Sequence, residues 1–143
     1  MTDASLRNGA LPADSTLAPL RDIMVPMRDG VRLATDVYFP LGYRLGKDAP
    51  LPAILERTPY GKSEISRSEV HHGRPPANRA DVARYFAARG YVVVLQDCRG
   101  RYRSEGTFTK YVAEGPDGFD TIEWIARQPW SDGKVGTMGL SYA

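Results

Sequence analysis

The residues best equipped for chemistry stand at the end of the sequence, in Thr137-Met138-Gly139-Leu140-Ser141-Tyr142-Ala143. A strand-like run from Lys134 to Met138 leads into Gly139-x-Ser141, the first three positions of a G-x-S-x-G pattern. In that pattern a strand turns sharply into a helix and holds the serine Oγ above a sheet. The turn is tight, so small residues are needed two positions before and two after the serine. Gly139 meets the first requirement, and the sequence stops at Ala143, before the second. A serine hydroxyl is a poor nucleophile at neutral pH and needs a base within hydrogen-bond reach. Attack on a carbonyl also needs donors for the oxyanion that forms. The amide of the residue after the nucleophile, Tyr142, is one such donor, and a second is expected from the loop after the third strand. That loop is Thr58-Pro59-Tyr60-Gly61, where the Tyr60 phenol or a neighbouring backbone amide can serve; otherwise Tyr60 is an aromatic packed at a strand end.

No base is evident. The 2 histidines, His71 and His72, fall in a polar loop and precede Ser141, whereas the pattern's chain order is serine, acid, histidine. They read as solvated imidazoles, and two adjacent residues without a third ligand make a poor metal site. Asp132 lies in Ser131-Asp132-Gly133 and reads as turn chemistry. The catalytic acid and base are therefore expected outside these residues. Asp97 and Arg99 follow an apolar strand, at the edge where open α/β sheets bind ligands, and are expected to pair with each other or with backbone. Arg101, Arg103 and Lys110 read as a solvated basic surface. Cys98, the 1 cysteine, reads as a small buried side chain.

These residues need a scaffold. Ile23–Met27 and Val31–Phe39 flank Arg28-Asp29-Gly30, and Asp-Gly between two such runs signals a hairpin. Val31, Leu33, Thr35, Val37 and Phe39 share one face of the second run, with Arg32 and Asp36 opposite, which predicts a strand buried on one face. Pro26 places the first strand at an edge. Leu51–Arg57 is a third strand. Lys62 to Pro76 is polar and unpatterned. Asn78 caps a helix over Arg79–Arg89, with Val82, Tyr85 and Phe86 on one face and Gly90 as its stop. Tyr91–Gln96 is continuously apolar apart from its last residue, as in a strand covered on both faces. Pro116 opens a second helix to about Gln128, with Phe119, Ile122, Ile125 and Ala126 as its buried stripe. Strands alternating with crossover helices predict an antiparallel hairpin leading into a parallel sheet. This is the element order of the N-terminal portion of an α/β-hydrolase fold. Met1 to about Arg21 has no periodicity and reads as a loose leader before one partial domain over residues 22–143.

Composition narrows the function classes. With 19 basic and 17 acidic side chains the net charge is +2, which makes no case for nucleic acid or membrane as a partner. No run approaches the ~18 apolar residues a membrane span requires, and the first twenty residues lack the apolar core of a secretory signal. A soluble, cytoplasmic chain is expected.

Several separated motifs stand in one order. They are Val25–Tyr38, Arg57-Thr58-Pro59-Tyr60, Gln96-Asp97-Cys98-Arg99-Gly100, Ser104-Glu105-Gly106, Trp130–Gly136 and Gly139-Leu140-Ser141-Tyr142. From about Ile23 to its end the chain resembles the hydrolase family that includes cocaine esterase, α-amino-acid ester hydrolases, glutaryl acylases and Xaa-Pro dipeptidyl-peptidases. The resemblance implies that Ser141 is the acyl-accepting nucleophile and that the Tyr60 hydroxyl and Tyr142 amide hold the oxyanion. It also implies a small ester, amide or short peptide as substrate, with no metal or cofactor. The family's Asp and His, helical cap and C-terminal jelly-roll domain have no counterpart here. The alternative is a non-catalytic remnant lacking that Asp and His.

Overall fold

The computed structural model describes residues 18–65 and 77–143. Among the described residues the elements follow one another as β1 (Leu20–Pro26), β2 (Arg32–Tyr38), β3 (Leu51–Thr58), α1 (Arg79–Ala87), β4 (Val92–Asp97), α2 (Glu114–Ala126) and β5 (Ser131–Thr137). The strands form one sheet in the order β1-β2-β4-β3-β5. β1, β2 and β4 are antiparallel neighbours, whereas β4, β3 and β5 run parallel. The expected hairpin and parallel portion are both present, and Pro26 ends a strand at the sheet edge. At the hairpin Gly30 takes φ +84°, which Asp-Gly turns require, and Met27 and Val31 close it with a 2.8 Å backbone bond.

The helices cover opposite faces. On the α2 side Val25, Leu33, Val37, Leu55, Val92 and Val94 pack with Ile125 and Trp130. On the α1 side Tyr38, Val93 and Leu95 pack with Ala83. Alternate residues of β4 thus enter two cores, and all six are buried, as its apolar run predicts.

Several expectations are corrected. β2 is buried on both faces, with Asp36 inside rather than facing solvent, because α1 and a set of charged side chains cover its second face. Of the helix stripes, Tyr85 is 54% and Phe119 59% exposed. Each ring instead lies beside a guanidinium, Arg89 and Arg28 respectively. α2 begins two residues before Pro116, and its buried face carries Asp117 and Thr121 as well as Ile125. β1 begins at Leu20, inside the stretch read as a leader, and β5 at Ser131, inside the stretch read as a turn. The turn is real but sits within the strand. Gly133 and Lys134 amides donate to Ser131 Oγ and Asp132 Oδ1, at 3.1 and 2.9 Å, while the β3–β5 register shifts.

Candidate active site

Loops at the C-terminal ends of the three parallel strands β3, β4 and β5 converge. This is the edge at which open α/β sheets bind ligands. β5 ends when the Met138 amide donates to Leu55 O at 3.0 Å. The chain then reverses, and the Ala143 amide donates to Leu140 O at 3.1 Å. Inside this turn Ser141 has φ +62°, a left-handed conformation that is costly for a residue with a Cβ. Its side chain is exposed. Gly139 has a steric reason: a Cβ there would overlap the backbone carbonyl of Ala143.

Tyr60 follows the end of β3, and its hydroxyl lies 3.4 Å from Ser141 Oγ. That is longer than a well-formed O–H···O bond, and hydrogen bonds in unliganded active sites are often long. The structure thus brings together two residues 81 positions apart. The loop that carries Tyr60 is held at successive backbone groups. Arg101 Nε donates to Pro59 O at 2.9 Å, and the Tyr60 amide donates to Thr58 Oγ1 at 3.0 Å. A guanidinium nitrogen of Arg79 donates to Gly61 O at 3.0 Å, and the Lys62 amide donates to Asp97 Oδ1 at 2.7 Å.

The Tyr142 side chain is also engaged. Its hydroxyl accepts from the Tyr111 amide at 2.6 Å and donates to Glu114 Oε1 at 3.1 Å, while its ring stacks on Tyr111 with centroids 4.7 Å apart. Burial raises the pKa of this phenol, and the nearby Glu114 carboxylate adds to the effect. Glu114 Oε2 accepts from Arg57 at 3.1 Å, which links the residue after Ser141 back to β3. Sequence reasoning considered only the Tyr142 amide. Beside Ser141 and Tyr60 lies a cleft of about 310 Å³, lined also by Arg101, Phe108, Lys110 and Tyr111. The Lys110 ammonium stands 4.9 Å from the Tyr111 ring centroid, and the Arg101 guanidinium 5.4 Å from that of Phe108.

Of the two polar residues at the end of β4, Asp97 pairs with backbone as expected and Arg99 does not pair with it. Arg99 bonds Asp29 and Asp117, each at 2.7 Å, and these carboxylates raise its pKa. Asp97 accepts from the Lys62 and Arg103 amides, which is the expected pairing with backbone, and burial raises its pKa. Arg103 is solvated as expected, with its side chain 73% exposed while it pairs with Asp22 at 2.6 Å, whereas Arg101 is half-buried and binds Pro59 O. Cys98 is buried, and its thiol is pushed up to about 12 by that burial, which makes it inert. Sequence reading also missed the ion pair between Glu56 of β3 and Arg79 of α1, 2.9 Å long and 2% exposed on both sides. Glu56 within an apolar strand was the available signal, since a buried carboxylate requires a partner.

His71 and His72 lie outside the described residues. Among the described residues no group of three His, Cys, Asp or Glu could hold a metal ion, and no helix is long and apolar enough to cross a membrane.

A mixed sheet with helices on both faces and a G-x-S turn after the fifth strand defines the N-terminal portion of the α/β-hydrolase fold. The model of the X-Pro dipeptidyl-peptidase (S15) family matches residues 29–143, and the chain belongs to that family. It is 40% identical over 129 residues to cocaine esterase of Rhodococcus sp. (strain MB1 Bresler), a match covering 90% of this chain and 20% of the esterase. A CocE/NonD family hydrolase from Staphylococcus aureus superposes with a TM-score of 0.67 at 28% identity, over 87% of this chain and 23% of that one. An α-amino acid ester hydrolase superposes with a TM-score of 0.64 at 31% identity, over 99% of this chain and 24% of that one. The chain therefore spans about a fifth of the length of the curated relative.

Proposed function

We propose that this chain carries the nucleophile of a serine hydrolase that cleaves ester or amide bonds through an acyl-enzyme. The observation behind this reading is the Ser141 hydroxyl, held out on a left-handed turn after β5 with the Tyr60 hydroxyl 3.4 Å away. Ser141 Oγ attacks the carbonyl carbon while a histidine takes its proton. The tetrahedral oxyanion accepts hydrogen bonds from the Tyr60 hydroxyl and the Tyr142 amide. The histidine then protonates the leaving alcohol or amine, and water releases the acyl group by the same steps. We assign the histidine and its acid to the full-length protein beyond these residues, since both follow the serine in the fold's chain order. Substrates are small esters, amides or short peptides, and the site of action is the cytoplasm. Family membership supports hydrolysis.

The test is fluorophosphonate labelling of the full-length protein. Label that is lost in a folded Ser141→Ala variant supports the reading, and label that survives overturns it. Tyr60→Phe should cost about 2.7–4 kcal/mol of transition-state stabilisation, read from kcat/KM on a nitrophenyl ester. Unchanged turnover removes Tyr60 from the mechanism.

A further inference from the structure

The Tyr60 loop is followed by a lysine whose side chain turns inward. Lys62 Nζ lies 2.8 Å from Asp36 Oδ1 on β2 and 2.7 Å from Asp22 Oδ1 on β1. Its side chain is only 4% exposed. Burial works against this charge, but the hydrogen bonds to the two carboxylates outweigh it and raise the lysine's pKa. Asp22 reaches the lysine from an irregular point in β1, where the register shifts between Leu20 and Ile23 and Asp22 itself has φ +53°. Irregularities of this kind re-aim side chains beside active sites. Asp36 also accepts from the Asp22 amide at 2.9 Å and from Arg21 at 3.0 Å, and Asp22 Oδ2 accepts from Arg103. The Lys62 amide meanwhile donates to Asp97 at the end of β4. One residue, two positions after Tyr60, therefore joins β1, β2, β4 and the loop.

An apolar side chain would link these strands with less desolvation. A buried ion pair is weak evidence for stability, and its attested benefit is in fixing one geometry. An oxyanion donor needs fixed geometry, because its value lies in needing no reorganisation as charge develops.

We propose that Lys62 is a positioning residue for catalysis: its ammonium, bridged between Asp36 and Asp22, fixes the loop so that the Tyr60 hydroxyl stays beside Ser141 Oγ. The inference rests on the reading of Tyr60 as an oxyanion donor. A displacement of catalytic geometry on the order of 1 Å costs about a hundredfold in rate, so the anchor's effect belongs in kcat rather than in KM.

The experiment is a double-mutant cycle in the full-length protein, with kcat and KM measured on a nitrophenyl ester. Lys62→Met is combined with Asp36→Asn to leave no uncompensated buried carboxylate. Asp22→Asn is a milder variant at a partly exposed site. The Lys62→Met/Asp36→Asn protein should lose roughly ten- to a hundredfold in kcat with KM changed less than about twofold. In the Tyr60→Phe background the same pair should cost less than about threefold, because the hydroxyl it positions is gone. Equal losses in both backgrounds, or no loss in a folded variant, overturn the proposal. If the double variant does not fold, Asp22→Asn decides. A kcat loss of about threefold or more that disappears with Tyr60→Phe supports the anchor, and a loss that persists overturns it. Failure of the underlying reading is separately visible, since Tyr60→Phe alone, with Lys62 intact, would then leave kcat unchanged.

Discussion

The Tyr60 loop and the Ser141 turn meet at 3.4 Å but are built by different means. The first follows a strand whose neighbours lie on both sides, and buried charges hold it: Arg79 on Gly61 O, Asp97 on the Lys62 amide, and Lys62 between two carboxylates. The second follows β5, which among the described strands pairs with β3 alone. A tight backbone turn, the missing Cβ of Gly139 and the Tyr142–Glu114 hydrogen bond hold it. The difference separates two kinds of dependence. A change at the Tyr60 side disturbs charges shared with the core, so fold and chemistry respond together. A change at the Ser141 side disturbs one local turn, so the chemistry responds and the core does not.

The largest expected effect is at the shared charges. Glu56→Gln leaves the Arg79 guanidinium buried without its carboxylate, and breaking such a pair costs about 3–5 kcal/mol. Urea unfolding should shift to a clearly lower midpoint, and a shift within error would mean that Arg79 is adequately held by the Gly61 and Ile65 carbonyls. A smaller and differently placed effect is expected of Gly139→Ala. Its new Cβ would overlap the Ala143 backbone, an overpacking cost of about 1–3 kcal/mol confined to the turn. The fluorophosphonate labelling rate should fall by roughly tenfold or more while the urea midpoint barely moves. Equal damage to both would erase the contrast between the two regions.

The smallest effect concerns pH. Burial raises the Asp97 pKa, so the native state favours the protonated acid. The contribution is present in full below the unfolded-state value and is lost as pH rises through the folded one. Asp97→Asn should remove this loss from the acid range. Asp22 has the opposite sign. Burial raises it, but Lys62 and Arg103 together pull it below its usual value, so its contribution is present at neutral pH and lost on acidification. Asp22→Asn should flatten the acid limb of a pH–stability curve measured by thermal unfolding. The same slope in both variants would show that the two carboxylates are not distinguished by their surroundings.

Much of the scaffold was legible because its signals are local. Alternation and apolar runs locate all five strands, Asp29-Gly30 marks the hairpin, and Asn78 caps α1 by accepting from the Asp81 amide. The stripes failed at Tyr85 and Phe119, where large rings sit on partly solvated positions against arginines. The ionic partners were not legible at all. Alternation and charge place Asp36 on the outer face of its strand and Arg99 beside Asp97 or backbone, whereas each found a partner from a distant segment.

By itself, the sequence determined the element types and the order of the motifs, and it supplied the candidates we propose as nucleophile and oxyanion donor, since these follow from side-chain chemistry and short-range periodicity. Only the tertiary structure decided the strand order β1-β2-β4-β3-β5, the 3.4 Å approach of Tyr60 to Ser141 and the ion pairs that hold the Tyr60 loop. Those depend on which segments become neighbours once the chain closes, and a buried charge must then pair with whatever opposite charge the sheet brings within reach.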